Sequence, residues 1–445
     1  MQNLRFYITI VGSNREESFR VQMFAELSKE ELEQLLNENE AVYARYQSMN
    51  LKLDMSRGKP CREQLDLTMD MLNCVSAQDN FAAENGFDTR NYGLLDGIQE
   101  AKAMFADLLD VSCENIIVGG NSSLNMMFDY IAQAYTHGVC GNRPWCKEED
   151  VKFLCPVPGY DRHFAITEHF GITMLNVPMT EDGPDMDAVE SLVRDPAVKG
   201  MWCVPMYSNP DGITYSDEPV RRLASLRPAA NDFRIMWDNA YCIHHLNDTT
   251  DTLLNLYTEA TKQENEDIVV MFCSTSKVSF PGAGVAALAA STANVADIKR
   301  RMTVQTIGHD KINMLRHVRY FKNADGLRAH MKLHAQILEP KFQLVLNTLK
   351  EQLGNTGIAN WHEPRGGYFV SVELSEGCAT ETVRLLKEAG VVITPAGATH
   401  PYHRDPQDSY LRLAPSFPPV EELQIAMDLF CVCAKIAALK KLLSK

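Results

Sequence analysis

The stretch Ile268-Val269-Val270-Met271-Phe272-Cys273-Ser274-Thr275-Ser276-Lys277-Val278-Ser279-Phe280-Pro281-Gly282-Ala283-Gly284 decides how the rest of the chain is read. Its first five residues are an unbroken apolar run of strand length, and its last four are a proline and glycine segment that a tight loop explains. A lysine is thereby fixed just past the carboxyl end of a buried strand. Small hydroxyl side chains and flexible backbone around it leave room for a phosphate-bearing ligand. An ammonium desolvated there gives up its proton readily and can form a Schiff base with a carbonyl group. An ordinary solvated loop lysine fits the same segment, so the choice falls to the rest of the chain.

Upstream, the strand-then-turn pattern recurs. Residues 151–155 lead into Pro156-Val157-Pro158-Gly159-Tyr160, 171–177 into Pro178, and 201–204 into Pro205-Met206-Tyr207-Ser208-Asn209-Pro210-Asp211-Gly212. Residues 233–237 lead into Asp238-Asn239-Ala240-Tyr241. Apolar strands with little alternation, separated by helical stretches such as 219–226, indicate a largely parallel sheet covered on both faces. Ligands of such α/β sheets lie outside the carboxyl ends of the strands. The pattern therefore gathers Gly120, Tyr160, Asn209, Asp238, Tyr241 and Lys277 in one crevice.

Within this frame Glu114-Asn115-Ile116-Ile117-Val118-Gly119-Gly120-Asn121-Ser122-Ser123 reads as strand, glycine turn and helix start. Free N–H groups and two hydroxyls at a helix N-terminus cradle an anion, although a plain Ser122 cap explains the same residues. The segment has neither the lysine of an ATP-binding loop nor the spacing of a dinucleotide fingerprint. Asp238 directly follows an apolar strand and needs a partner if buried; a turn aspartate or the counter-ion of a heterocyclic N–H⁺ both satisfy that. Ser28-Lys29-Glu30-Glu31 has the form of a capping box opening a helix over 28–49. It leads into the turn at Ser56-Arg57-Gly58-Lys59-Pro60. A further glycine loop, Arg90 to Gly97 with Tyr92 inside it, precedes a helix over 98–109.

Beyond Ser291 the pattern changes. Residues 296–322 and 326–353 read as long helices, the second kinked or broken at Pro340. Strand-like runs at 367–372, 391–393 and 410–414 follow, closed by a helix over 420–443, which together make a smaller α/β domain. Arg412 lies within a strand between apolar neighbours, where a salt bridge is the usual reason for an arginine and a ligand carboxylate the functional alternative.

With 445 residues, 45% hydrophobic and 23% charged, the chain has the composition of a globular protein with ample core. A formal net charge of -15 opposes nucleic acid or anionic membrane as a general partner. The 12 cysteines are scattered without a Cys-x-x-Cys pair, which favours reduced thiols in the cytoplasm over disulfides or a metal site. No signal peptide or membrane span is read. Residues 1–22 fit no later pattern and read as a poorly ordered extension.

Taken together, these motifs resemble the fold-type I pyridoxal-phosphate enzymes, most closely class I aminotransferases. The Ser-Lys-x-Ser-Phe-Pro-Gly-Ala-Gly loop is similar to that of a divergent bacterial aspartate aminotransferase subgroup, and the likeness spans about Ser56 to Ser416. The resemblance implies a large domain over 76–324 with a mostly parallel seven-stranded sheet, and a small domain from 23–75 and 325–445. It implies pyridoxal 5'-phosphate, with Lys277 holding its aldehyde and moving the substrate Cα proton, Asp238 at the ring nitrogen, Asn209 and Tyr241 at the phenolic oxygen, and Tyr160 stacked on the ring. The phosphate would rest on Asn121, Ser122, Ser123 and Ser274, with Tyr92 from the partner of a homodimer. Arg412, aided by backbone at Gly58, would grip the substrate α-carboxylate. The implied reaction passes an amino group from an L-amino acid, L-aspartate by likeness, to 2-oxoglutarate. A lyase or decarboxylase on the same scaffold is the alternative, and a non-catalytic sensor a more distant one.

Two departures stand out. Val278 to Gly284 carries no basic residue where many relatives place a phosphate-binding arginine. No arginine is evident for a distal carboxylate either; Lys311 is the stand-in for either charge, in a region that also holds Arg316 and Arg319.

Overall fold

The computed structural model describes residues 23–444, so the extension expected at 1–22 lies outside the described residues. The first long helix, Lys29–Ser48, starts at the expected box: Glu31 accepts from the Ser28 N–H at 2.7 Å while Ser28 Oγ accepts from the Glu31 N–H at 3.3 Å.

In chain order the strands are β1 (Leu53–Asp54), β2 (Ile116–Val118), β3 (Lys152–Val157), β4 (Thr173–Thr180), β5 (Gly183–Pro184), β6 (Val198–Cys203) and β7 (Arg234–Asp238). They continue with β8 (Val269–Ser274), β9 (Ala286–Ala290), β10 (Ala359–Trp361), β11 (Val370–Leu374), β12 (Val391–Val392) and β13 (Tyr410–Leu413). The large sheet has the order β2-β9-β8-β7-β6-β3-β4-β5. Its centre, β8-β7-β6-β3-β4, is parallel, whereas β9 runs antiparallel to both β8 and β2. The sheet has eight strands rather than seven, the extra one being the two-residue β5 turned back against β4.

Every residue of β6, β7 and β9 is buried, as a sheet covered on both faces requires. Alternate side chains feed two cores: Met236, Val270 and Phe272 pack on one face, Ile235, Trp237 and Met271 on the other. A third core joins helices Lys29–Ser48, Ala324–Leu353 and Val420–Leu443 to the three-stranded antiparallel sheet β10-β11-β13.

Two expectations need correction here. The region read as one helix over 296–322 is two, Thr292–Gln305 and Lys311–Phe321. The chain turns at Gly308 (φ 154°), and Asp310 restarts the helix by accepting from the Asn313 N–H at 2.9 Å. Of the kink or break expected at Pro340 the break does not occur, the helix running through Ala324–Leu353. The run at 391–393 forms β12, which pairs in parallel with β1. β9 itself was not foreseen, because an alanine-rich run carries little intrinsic strand preference.

Candidate active site

The lysine loop is the connection between antiparallel β8 and β9. Thr275 closes it twice, its N–H donating to the Val285 carbonyl at 2.8 Å and its Oγ1 accepting from the Val285 N–H at 2.9 Å. The loop is stapled to the glycine turn after β2: the Ala286 N–H donates to the Gly120 carbonyl at 2.8 Å and Ser276 Oγ donates to the Asn121 carbonyl at 3.0 Å. Behind it stands a group of buried polar side chains. Ser279 Oγ pairs with His317 Nε2 at 2.8 Å, His330 Nε2 lies 3.2 Å from the Val278 carbonyl, and Tyr368 OH donates to the Lys277 carbonyl at 3.4 Å. Gln64 Nε2 donates to Tyr368 OH and to His334 Nδ1, both at 2.9 Å. Burial pushes the imidazole of His317 down to about 4 and that of His334 to about 3. His244, packed edge-on against Tyr241 and Tyr368, is driven well below its ordinary value by burial and then by the Lys277 charge. In front, Lys277 Nζ lies 4.7 Å from the centre of the Tyr241 ring.

Asp238 ends β7, beside β8, and is only 3% exposed. One carboxylate oxygen, Oδ2, lies 3.0 Å from His163 Nε2. The other, Oδ1, is buried and has no hydrogen-bond partner among the described residues. A buried carboxylate oxygen in that condition is costly unless a ligand donates to it. His163 is stacked on Trp202 with ring centres 4.3 Å apart and planes 10° from parallel, and Trp202 Nε1 is held by Thr167 Oγ1 at 2.8 Å. Tyr160 meets the His163 ring edge-on at 4.9 Å. Burial pushes the Tyr160 phenol up to about 12, with Lys277 pulling the other way. Burial, followed by the charge of Asp238, raises Tyr241 far above its ordinary value.

The facing wall comes from β13 and the chain at 56–60. Arg412 is 6% exposed; its Nε donates to Thr394 Oγ1 at 3.2 Å and its Nη1 to Asp161 Oδ1 at 2.9 Å and Asn209 Oδ1 at 3.0 Å. Its second terminal nitrogen, Nη2, has no hydrogen-bond partner among the described residues. The guanidinium lies over Phe369, 4.7 Å from the ring centre. Gly58 is needed beside the tip of that ring, since a Cβ there would stand 2.4 Å from Phe369 Cζ. Between the walls is a cavity of about 800 Å³ lined by Gly58, Tyr160, Asn209, Tyr241, Lys277 and Arg412 among others.

Asn121, Ser122 and Ser123 sit at the start of helix Ser123–His137, and Ser122 spends no side-chain bond on capping it. That leaves its hydroxyl for a ligand. Ser274 Oγ donates to Ser276 Oγ at 3.1 Å, at the foot of the same loop. Asp238, Asn121, Ser122, Ser123 and Ser274 are not among the residues that line that cavity, nor are Tyr92 and Lys311. Tyr92 is 77% exposed, and Lys311 is buried with Nζ donating to the His309 carbonyl at 3.2 Å. Burial also lowers the Lys311 pKa. His163 and Asp161 were missed by the sequence reading; the one available signal was their place directly after the strand-tip residue Tyr160.

No described helix is long and apolar enough to cross a membrane. The eight-stranded α/β sheet, with a lysine and an acid at adjoining strand ends facing an arginine-bearing wall, is the arrangement of an aminotransferase, and the comparisons give the chain that activity. Residues 27–445 match the aspartate amino-transferase family, and the chain belongs to that family. It is 47% identical over 392 residues to an aspartate aminotransferase of Corynebacterium glutamicum, covering 88% of this chain and 90% of that protein. The crystal structure of an aspartate transaminase from the same species superposes with a TM-score of 0.93 at 44% identity, covering 95% of this chain and all of that one. An α-aminoadipate aminotransferase of Thermus thermophilus shares the fold at 19% identity, with a TM-score of 0.70 over 90% of this chain and 95% of that one.

Proposed function

We propose that the protein is a pyridoxal-phosphate-dependent aspartate aminotransferase, passing the amino group of L-aspartate to 2-oxoglutarate. The observation that carries the reading is the unpartnered Asp238 Oδ1, buried close to Tyr160 and Tyr241, which line the same cavity as the Lys277 amine. A pyridinium N–H⁺ is a donor that such an oxygen lacks, so the residues fit this cofactor. Bound there, pyridoxal phosphate supplies an electron sink for the bonds of the amino acid's Cα.

The chain's own residues do the rest. Lys277 holds the cofactor and moves the proton at the substrate Cα. Asp238, fixed by His163, keeps the ring nitrogen protonated. Asn209 and Tyr241 donate to the phenolic oxygen, and Tyr160 covers the ring face. The idle Ser122 hydroxyl, with Asn121, Ser123, Ser274 and the N–H groups of the helix start, takes the phosphate. Arg412 offers its free Nη2 to the α-carboxylate, with Gly58 keeping the wall thin enough for the substrate to approach. The same reading places the enzyme in the cytoplasm as a homodimer, with the exposed Tyr92 reaching the phosphate of the other subunit. It divides the chain into a small domain from 23–75 and 325–445 and a large one over 76–324.

A panel of amino donors assayed with 2-oxoglutarate tests it. L-Aspartate is expected to show the highest kcat/KM, yielding oxaloacetate and L-glutamate. A different donor with the highest value overturns the aspartate assignment.

A further inference from the structure

Two thiols meet beside the residues that build the lysine wall. β7 ends at Asp238, but its pairing with β8 runs one residue further, the Asn239 N–H donating to the Phe272 carbonyl at 2.8 Å. The turn that follows brings Cys242 Sγ to 3.8 Å from Cys273 Sγ. Cys242 follows Tyr241 in the chain and Cys273 precedes Ser274, so each sulfur is one residue away from a residue of the site. Both thiols are free; Cys273 is 2% exposed, whereas Cys242 is half-buried.

Sulfurs at 3.8 Å are in van der Waals contact, and a disulfide needs about 2.05 Å, so the pair must close by about 1.75 Å. Cys273 cannot supply that movement: it lies within β8, between β7 and β9, and is paired with Ala287. Cys242 belongs to no strand or helix, so its turn gives way instead. Tyr241 moves with it, and the Tyr241 ring centre lies only 4.7 Å from Lys277 Nζ.

We propose that Cys242 and Cys273 form a reversible disulfide under hydrogen peroxide, and that this bond slows the enzyme by displacing Tyr241. Cys242, the more accessible thiol, reacts first. Its sulfur attacks one peroxide oxygen, the O–O bond breaks, and the thiol proton leaves with the departing hydroxide as water, so that Cys242 becomes a sulfenic acid. The Cys273 sulfur then attacks the Cys242 sulfur; the S–O bond breaks, the S–S bond forms, and the hydroxyl departs with the Cys273 proton as a second water. Two thiols are oxidised and one peroxide is reduced. The hydrogen bond between the thiols, and then burial, push the Cys273 thiol well above its ordinary value, so it keeps its proton until this second step.

The test treats the protein loaded with pyridoxal phosphate with hydrogen peroxide, maps its peptides by mass spectrometry without reductant, and measures turnover with its best amino donor. A peptide joining Cys242 to Cys273 is expected, with turnover lowered about ten-fold or more and restored by dithiothreitol. Cys242→Ser should give no such peptide and keep most of its turnover through the same treatment. Cys242→Ala, which removes the sulfur without adding a hydroxyl, should behave alike. Thiols still unlinked in the treated unaltered protein overturn the proposal, as do variants that lose turnover equally or a linked pair with undiminished turnover.

Discussion

The two walls of the cavity are built by different means. The lysine wall is made of consecutive strand tips, held by main-chain bonds between neighbours and backed by a buried polar group around His317, His330 and His334. The arginine wall is made of side chains brought together across the whole chain: Gly58, Asp161, Asn209, Phe369, Thr394 and Arg412 meet only after folding. On the proposed reading, the group that takes part in bond breaking sits on the wall with backbone support, and the group that recognises a carboxylate sits on the wall held by contacts, where one substitution can shift it.

Substitutions can break or sharpen this contrast. Lys277→Ala should lower turnover by more than about 10⁴-fold with little change in fold, since the loop is held by Thr275 and Ser276 rather than by the amine. A steady-state assay decides it, and turnover near that of the unaltered enzyme would refute the assignment. Arg412→Ala should act mainly on binding, raising KM for the amino donor roughly 30-fold or more, because it also leaves Asp161 without its ion-pair partner. Equal KM values for every donor would remove the arginine from the site.

Gly58→Ala tests whether the second wall is as thin as it looks. The added Cβ forces the Phe369 ring to move, and the guanidinium above it with it, for a cost of about 1–3 kcal/mol. Thermal unfolding should report the destabilisation, with a KM several-fold higher; a variant unchanged in both would mean that the ring yields freely.

The smallest effect lies behind the lysine wall and depends on pH. Burial holds His317 near about 4 and His334 near about 3, below the value of about 6.5 in an unfolded chain. The unfolded state therefore binds protons that these folded imidazoles refuse. Their contribution is fully present above about pH 6.5 and is lost as pH falls from there toward 4 and 3. From pH 7 to 5.5 the loss amounts to about 1 kcal/mol per histidine. Urea unfolding at the two pH values should show a smaller drop for His317→Gln than for the unaltered protein; equal drops would mean that His317 is not held neutral by the fold.

The contrast also explains what the sequence could disclose. Lys277, Asp238, Tyr160 and Asn209 follow apolar runs directly, so a one-dimensional pattern places them at strand ends. The parallel centre of the sheet and the closing helix Val420–Leu443 were legible for the same reason, being periodic and long. His163 was not, because its significance is a ring stacked on Trp202 and a bond to Asp238, residues 39 and 75 positions away. Asp161 was hidden likewise, since its partner Arg412 lies 251 positions on. The reversal at β9 escaped because its direction is set by pairing with β2 and β8, not by the preference of an alanine-rich run.

That reversal has a mechanical consequence. Because β9 returns from the lysine loop to lie between β8 and β2, it ties the amine and the glycine turn after β2 into one rigid block. Neither can shift without tearing ladder bonds on both flanks of the strand. Accommodation of larger or smaller substrates thus falls to the opposite jaw, where side-chain contacts rather than backbone ladders would have to give.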